Sequence, residues 1–484
     1  MKHADLLLRR AMLFDGSGTA PIRGDLAVSG ERVVGIGQLS GWTAERDIDC
    51  ANLALAPGFI DTHTHDDRAL LGAPADMTCK LSQGVTTVIT GNCGVSLAPL
   101  VSTTRPVAPL DLLGDERWWV FGSFAAYRDA LAARPPAVNA LAFVGHISLR
   151  AAVMGDDLSR AADATEIAAM RGLLAASLSE GAAGFSTGLA YPPATAATTE
   201  EVIGIAAPLG PAGGLYVTHL RDEGPRVMES IEEALAIGRS LDCAVVLSHH
   251  KCVLRENFGR SRDTLALIER SATQQRVDLD AYPYAASSTA LLVELLNDDL
   301  PVQVTWSLAE PDAAGRMLAD LAAEWGLSIA DAARRLQPAG AVYFSMDEGD
   351  VRRILAHPRT MIGSDGLPHD QVPHPRLWGT FPRVLGHYAR DQGLFPLQTA
   401  IRKMTGLPAR VFGLPDRGVL RTGAFADLVL FDPATVIDRA TFTDPTQPAT
   451  GIVEVWVNGV SSYTPAGGVT ASPAGRLLRR EHPA

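Results

Sequence analysis

Along most of this chain, short apolar runs alternate with longer segments whose apolar residues recur every three and four positions. The first kind of run predicts buried strands and the second amphipathic helices, and their alternation predicts a parallel sheet. Eight runs qualify as strands: "ALAPGFIDTHTH", "GVTTVITGNC", "NALAFVGH", "AAGFSTG", "GLYVTHL", "AVVLSHH", "RVDLDAYPY" and "RTMIGSDG". Helical periodicity is clearest in "ATEIAAMRGLLAASLSEG", "PRVMESIEEALAIGRS" and "RDTLALIERSATQQ". Eight parallel strands are the number that closes a (β/α)8 barrel of the TIM type, so the expected fold class is α/β.

The two ends of the chain read differently. "ADLLLRRAMLFDGSG" and "GDLAVSGERVVGIG" near the start, and "RGVLRTGAFADLVLFDP" and "GIVEVWVNGVSSYT" near the end, are short strands separated by glycine turns. Residues 1–56 and 413–484 are therefore expected to form one small β-domain, with a loose tail from about Gly467. The barrel is expected over 57–412. The long gap before its last strand, with "AAGRMLADLAAEWGLSIADAARRLQ", predicts a helical insertion at about 290–345 that covers the barrel mouth.

Each predicted strand ends on polar chemistry: His63 and His65, then Cys93, His146, Ser186 with Thr187, His219, His249, Tyr282 and Asp365. In a closed parallel barrel all of these converge on one face. His63 and His65 are two apart, so a strand points both the same way. A thiolate with two imidazoles suits zinc and leaves a position open, and Cys93, His219 and His249 supply that set. His63, His65 and Asp365 offer a second, harder site. Asp365 is also the natural general base, and His146 is expected to hydrogen-bond a developing oxyanion or leaving group. In "SHHK" strand alternation favours His249 for the pocket and leaves His250 to pack.

Composition narrows the function classes. With 484 residues, 47% hydrophobic, the chain is long enough for a large core and is not disordered. The formal charge of −12 leaves no basic stripe for nucleic acid or anionic membranes. No segment approaches a membrane-spanning length, and the interrupted "MKHADLLLRRAMLF" is no signal core, which predicts a cytoplasmic protein. Five separated cysteines without a CxxC pair argue against a disulfide framework.

The order of "HTH", "TGNCG", "STGLAYPP", "THLRDEG", "SHHK", "YPYAASST", "GSDGLPHD" and "HPRLWGTFPRVLG" resembles the amidohydrolase superfamily, and within it the N-acyl-D-amino acid deacylases, or D-aminoacylases. The resemblance covers nearly the whole chain. It implies zinc-dependent hydrolysis of a small N-acyl-D-amino acid, with one tightly held zinc on Cys93, His219 and His249 and a weaker site at His63, His65 and Asp365. It also implies that Lys251, Tyr282, Ser288 and Arg376, with Tyr191 at the mouth, bind the substrate.

Relatives acting on cyclic amides bridge two metals with a carboxylated lysine after the fourth strand. Between Gly94 and Thr218 this chain has no lysine, which makes hydantoinase-like, dihydroorotase-like or dipeptide-hydrolase chemistry the second reading. A non-catalytic assembly protein is a distant third, because such a protein has no use for a full ligand set. Members acting on acidic D-amino acids carry an arginine shortly after the "YPYxASST" segment. Here "ALLVELLNDDLPVQVTWSLAEPDAAG" has no basic residue and offers Glu294, Leu295 and Leu296, which predicts a preference for apolar side chains.

Overall fold

A computed structural model describes residues 2–297 and 299–481. The chain is α/β, and each of the eight predicted runs contains a parallel strand. They are Phe59–Asp61, Val85–Thr90, Asn139–Ala142 with its continuation Val144–Gly145, Gly184–Gly188, Leu215–His219, Ala244–Leu247, Val277–Ala281 and Thr360–Ile362. Each pairs in parallel with the next. The order returns to its start, because Thr62 donates to the Ile362 carbonyl at 3.3 Å, Asp365 donates to the His63 carbonyl at 2.8 Å, and Thr64 bridges Gly366 in parallel.

Strand alternation divides the core in two. Ile60, Ile89, Leu141, Leu215, Val217 and Val246 form one cluster, while neighbours such as Phe59, Val88, Ala140, Tyr216 and Val245 join the large cluster that the helices cover. This double burial explains why a strand such as "VTTVIT" is buried at every position. The helices are locally encoded as well. Ala164–Glu180 opens on Asp163, whose side chain accepts from Thr165 and Glu166 backbone amides while Glu166 reciprocates, and it ends on Gly181 at φ 115°.

Both chain ends do contribute to one nine-stranded sheet, in which Ala54–Pro57 pairs antiparallel with Leu428–Phe431. The run read as one strand, "ALAPGFID", therefore belongs to two sheets and breaks at Gly58. A Cβ there would sit 2.2 Å from the Thr86 hydroxyl, so only glycine lets the chain cross over.

Two expectations are corrected. The insertion is not simply helical: Ser287–Ala290, Val302–Ser307 and Ala339–Tyr343 form a three-stranded antiparallel sheet that packs on helices Leu318–Trp325 and Ile329–Leu336. "VQVTWS" carries the β-branched residues that favour this. The tail is not loose. Ala140 donates to Arg476 and Leu478 donates to Ala140, at 2.9 and 2.7 Å, and Leu478 joins the inner cluster beside Leu407 and Phe412. Among the described residues no helix is long and apolar enough to cross a membrane.

Candidate metal centre

The strand ends bring His63, His65, Cys93, His219, His249 and Asp365 together. Three of them, Cys93, His249 and Asp365, have left-handed backbones, with φ of 54°, 34° and 51°. Such conformations cost about 1–3 kcal/mol each outside glycine and persist only where neighbours enforce them. Asp280 Oδ1 accepts the His249 amide at 2.8 Å, and the His63 carbonyl accepts that of Asp365. The Cys93 loop is held by Ser186, whose hydroxyl donates to Gly91 and accepts from the Gly94 amide at 3.0 Å. Gly188 lies beneath it, where a Cβ would be 2.2 Å from the Cys93 carbonyl. The hydroxyl and glycines of "GFSTG" thus shape the loop that presents the thiol.

Cys93 Sγ is the common point. It lies 3.2 Å from His63 Nε2 and 3.3 Å from His249 Nε2. Two sets of donor atoms, those of His63, His65 and Cys93 and those of Cys93, His219 and His249, each lie within 4.8 Å of one another. Asp365 Oδ1 is 3.6 Å from His63 Nε2 and 3.4 Å from His65 Nε2. Burial opposes ionisation of Cys93, but the imidazoles of His63, His249 and His219 outweigh it and hold the thiol well below its usual value.

The donors fit a bound cation. His219 Nδ1 is buried without a hydrogen-bond partner among the described residues, an unusual state for a polar atom. A thiolate among imidazoles, with carboxylates behind them, is a zinc-type donor set.

Two carboxylates that strand-end patterning does not single out stand behind the imidazoles. Asp280, within strand Val277–Ala281, is 3.5 Å from His63 Nδ1. Glu223, four residues after His219, places Oε1 3.1 Å from His249 Nδ1 and Oε2 3.7 Å from His219 Nε2. Burial favours protonation of Glu223, but Lys251, His219 and His249 keep it well below the usual carboxylate range. Asp280 had a signal in the sequence, as a carboxylate inside an apolar strand; Glu223 lies in "THLRDEG", where spacing does not distinguish it from Asp222. Below them Lys80, fully buried, pairs with Asp61 at 2.9 Å and Asp66 at 3.2 Å.

A cavity of about 330 Å³ opens over this cluster, and Tyr191, Lys251 and Ser288 line it together with His219, His249 and Asp365. Lys251 Nζ is 2.6 Å from Glu223 Oε1. Ser288 Oγ is buried and has no partner among the described residues. Leu292, Leu296 and Leu300 form an apolar wall, with Glu294 and Leu295 exposed at its rim. Arg376 and Tyr282 lie behind the lining: Arg376 Nη1 is 2.9 Å from Asp365 Oδ2, and the guanidinium sits 4.5 Å over the Tyr282 ring. Burial alone would raise the Asp365 carboxyl, but Arg376, with His65, His249 and His63, holds it well below its ordinary value.

One candidate lies elsewhere, and His250, expected to pack, does so. His146 is not brought together with the others; its Nε2 is 3.3 Å from Glu201, which also pairs with buried Arg150, and its ring packs on Phe185. His250 turns away from the cluster, with Nε2 2.8 Å from the Thr264 hydroxyl.

The chain matches the model of the amidohydrolase family over residues 46–241 and 302–463. It is 56% identical to a D-aminoacylase of Alcaligenes xylosoxydans xylosoxydans, over 98% of both chains. A solved D-aminoacylase, with a binuclear centre in which one metal activates and a second attenuates, matches with a TM-score of 0.96 at 53% identity, over 99% of this chain and 100% of that one. The N-acyl-D-glutamate deacylase of Bordetella bronchiseptica, complexed with zinc and a phosphonate mimic of the tetrahedral intermediate, matches with a TM-score of 0.94 at 47% identity over 99% and 100% of the two chains.

Proposed function

Since the chain belongs to the amidohydrolase family, we propose that it is a zinc-dependent deacylase that hydrolyses N-acyl-D-amino acids to a carboxylate and a free D-amino acid. The observation that carries this reading is the Cys93 thiol between His63 Nε2 and His249 Nε2, at a mouth where no lysine stands after the fourth strand. Cys93, His219 and His249 hold the tightly bound zinc, and His63, His65 and Asp365 form the weaker site. Bound there, zinc supplies Lewis acidity to the amide carbonyl and to the attacking water.

The chain's own groups do the rest. Asp365 Oδ1 takes the proton of the water as its oxygen bonds to the carbonyl carbon, then passes that proton to the amide nitrogen as the C–N bond breaks. Arg376, on Oδ2, keeps this carboxylate ionised and fixes which oxygen faces the reaction. Lys251 and the unpartnered Ser288 hydroxyl receive the substrate carboxylate, with Tyr191 packed on His219 at their side. Tyr282 braces Arg376 from below. His146, held by Glu201, receives no catalytic role.

The apolar wall of Leu292, Leu296 and Leu300, in a segment free of basic residues, supports a preference for apolar over acidic D side chains. At the level of architecture, the returning order of the eight parallel strands supports a (β/α)8 barrel over residues 57–412, and the nine-stranded sheet supports a small β-domain from residues 1–56 and 413–484.

Hydrolysis of a panel of N-acetyl-D- and N-acetyl-L-amino acids by the zinc-loaded protein tests the reading. Turnover confined to D substrates, fastest for leucine and methionine and slow for aspartate and glutamate, is expected. Activity on cyclic amides alone would move the chain to another branch of its family.

A further inference from the structure

We infer that Glu223 is a positioning residue for the metal: its carboxylate fixes the ligating tautomer of His249. The inference rests on the zinc-dependent function proposed for the site and concerns a residue to which that function assigns no role.

A neutral imidazole ligates through the nitrogen that carries no proton, so its other nitrogen is an N–H donor and needs an acceptor. His249 faces Cys93 through Nε2, which makes Nδ1 the donor. The nearest polar atom to Nδ1 is Lys251 Nζ at 2.6 Å, but an ammonium is also a donor and cannot receive that proton. Glu223 Oε1 can: it is 3.1 Å from Nδ1 and 2.6 Å from Lys251 Nζ, so it serves both. His219 stands near the same carboxylate but beyond hydrogen-bond distance. Its Nε2 faces Glu223 Oε2 at 3.7 Å, while its Nδ1 is buried without a partner among the described residues and is the nitrogen left for a metal.

The carboxylate is placed for this by its backbone, because the Glu223 carbonyl accepts the Val253 amide at 2.9 Å, which ties the loop after one ligand strand to the segment after the next. Its Oε1 therefore stands on the far side of one ligand, with Oε2 turned toward a second contributed by another strand. Lys251 is bound into the same arrangement, so the cation that meets the substrate is oriented by the group that orients His249.

The test is zinc affinity, measured by competition with a chromophoric chelator, for the wild type, Glu223→Gln and Lys251→Met. An amide keeps one acceptor oxygen and turns the other into a donor aimed at an imidazole N–H, with no change of volume. Glu223→Gln should lower zinc affinity by roughly 10–100-fold, the usual effect of losing such a partner. In the cobalt-substituted variant the thiolate-to-metal charge-transfer band should shift as the His249 imidazole loses its orientation. Lys251→Met should keep its zinc affinity and lose substrate affinity. Unchanged zinc affinity in Glu223→Gln, or an equal loss in both variants, overturns the inference while leaving the zinc enzyme intact. A wild type that binds no zinc overturns both.

Discussion

Cys93 Sγ lies 3.3 Å from His249 Nε2 across 156 positions of sequence, and His63 Nε2 approaches the same sulfur at 3.2 Å. Removing the thiol takes a shared donor from both candidate metal positions. Cys93→Ala should therefore lose zinc on dialysis and lose more activity than the roughly 10–100-fold that follows loss of a supporting residue. Metal content after dialysis, set beside initial rates, checks this; a variant that keeps its zinc and its rate removes Cys93 from the centre.

Asp365 presents one oxygen to the imidazoles and the other to Arg376. Asp365→Asn preserves the shape and removes the base. Its kcat should fall by roughly 10²–10⁴-fold, with zinc retained at Cys93, His219 and His249. Steady-state kinetics with parallel metal analysis reads both quantities, and an unchanged kcat assigns the proton transfer to another group.

Lys80 is buried between Asp61 and Asp66, and Asp61 also accepts the Ser364 amide at 2.7 Å. This cluster ties the end of the first strand to the end of the eighth, and so sets His63 and His65 against Asp365. Lys80→Met leaves two carboxylates uncompensated and should destabilise the fold by about 3–5 kcal/mol. Urea unfolding measures it; a loss within error would show that this pairing contributes nothing to stability.

His250 is neutral in the fold, because burial pushes its pKa from 6.5 down to about 4. Above pH 6.5 neither state is protonated there and the contribution to stability is complete. As pH falls the unfolded chain binds the proton first, so up to about 3 kcal/mol is lost between pH 6.5 and 4. In metal-stripped protein, the wild type should lose thermal stability through that window more steeply than His250→Gln. Parallel curves would show that the ring binds its proton over the same pH range in the fold as in the unfolded chain.

Much of this arrangement is legible in the amino-acid sequence, for identifiable reasons. Eight buried runs carry their strand signal locally, and parallel pairing sends their ends to one face, so ligands far apart in sequence can be read as neighbours. What strand alternation does not convey is the direction of a residue beyond the last ladder bond. His146 opens helix His146–Met154, and the helix start turns its ring to Glu201. His249 lies two residues past the end of strand Ala244–Leu247, and its positive φ, rather than alternation, sets its direction. Glu223 and Asp280 act through other residues, and loop spacing carries no record of such contacts. The docked tail and the sheet of the insertion depend on partners more than a hundred residues away or on a register closed by tertiary packing.

The most direct test of the central claim follows the chirality of leucine released from racemic N-acetyl-leucine as zinc is titrated into metal-stripped protein. One zinc held at Cys93 predicts that D-leucine alone appears, at a rate that climbs until the first equivalent is bound. Release of L-leucine, or a rate indifferent to zinc, would contradict it.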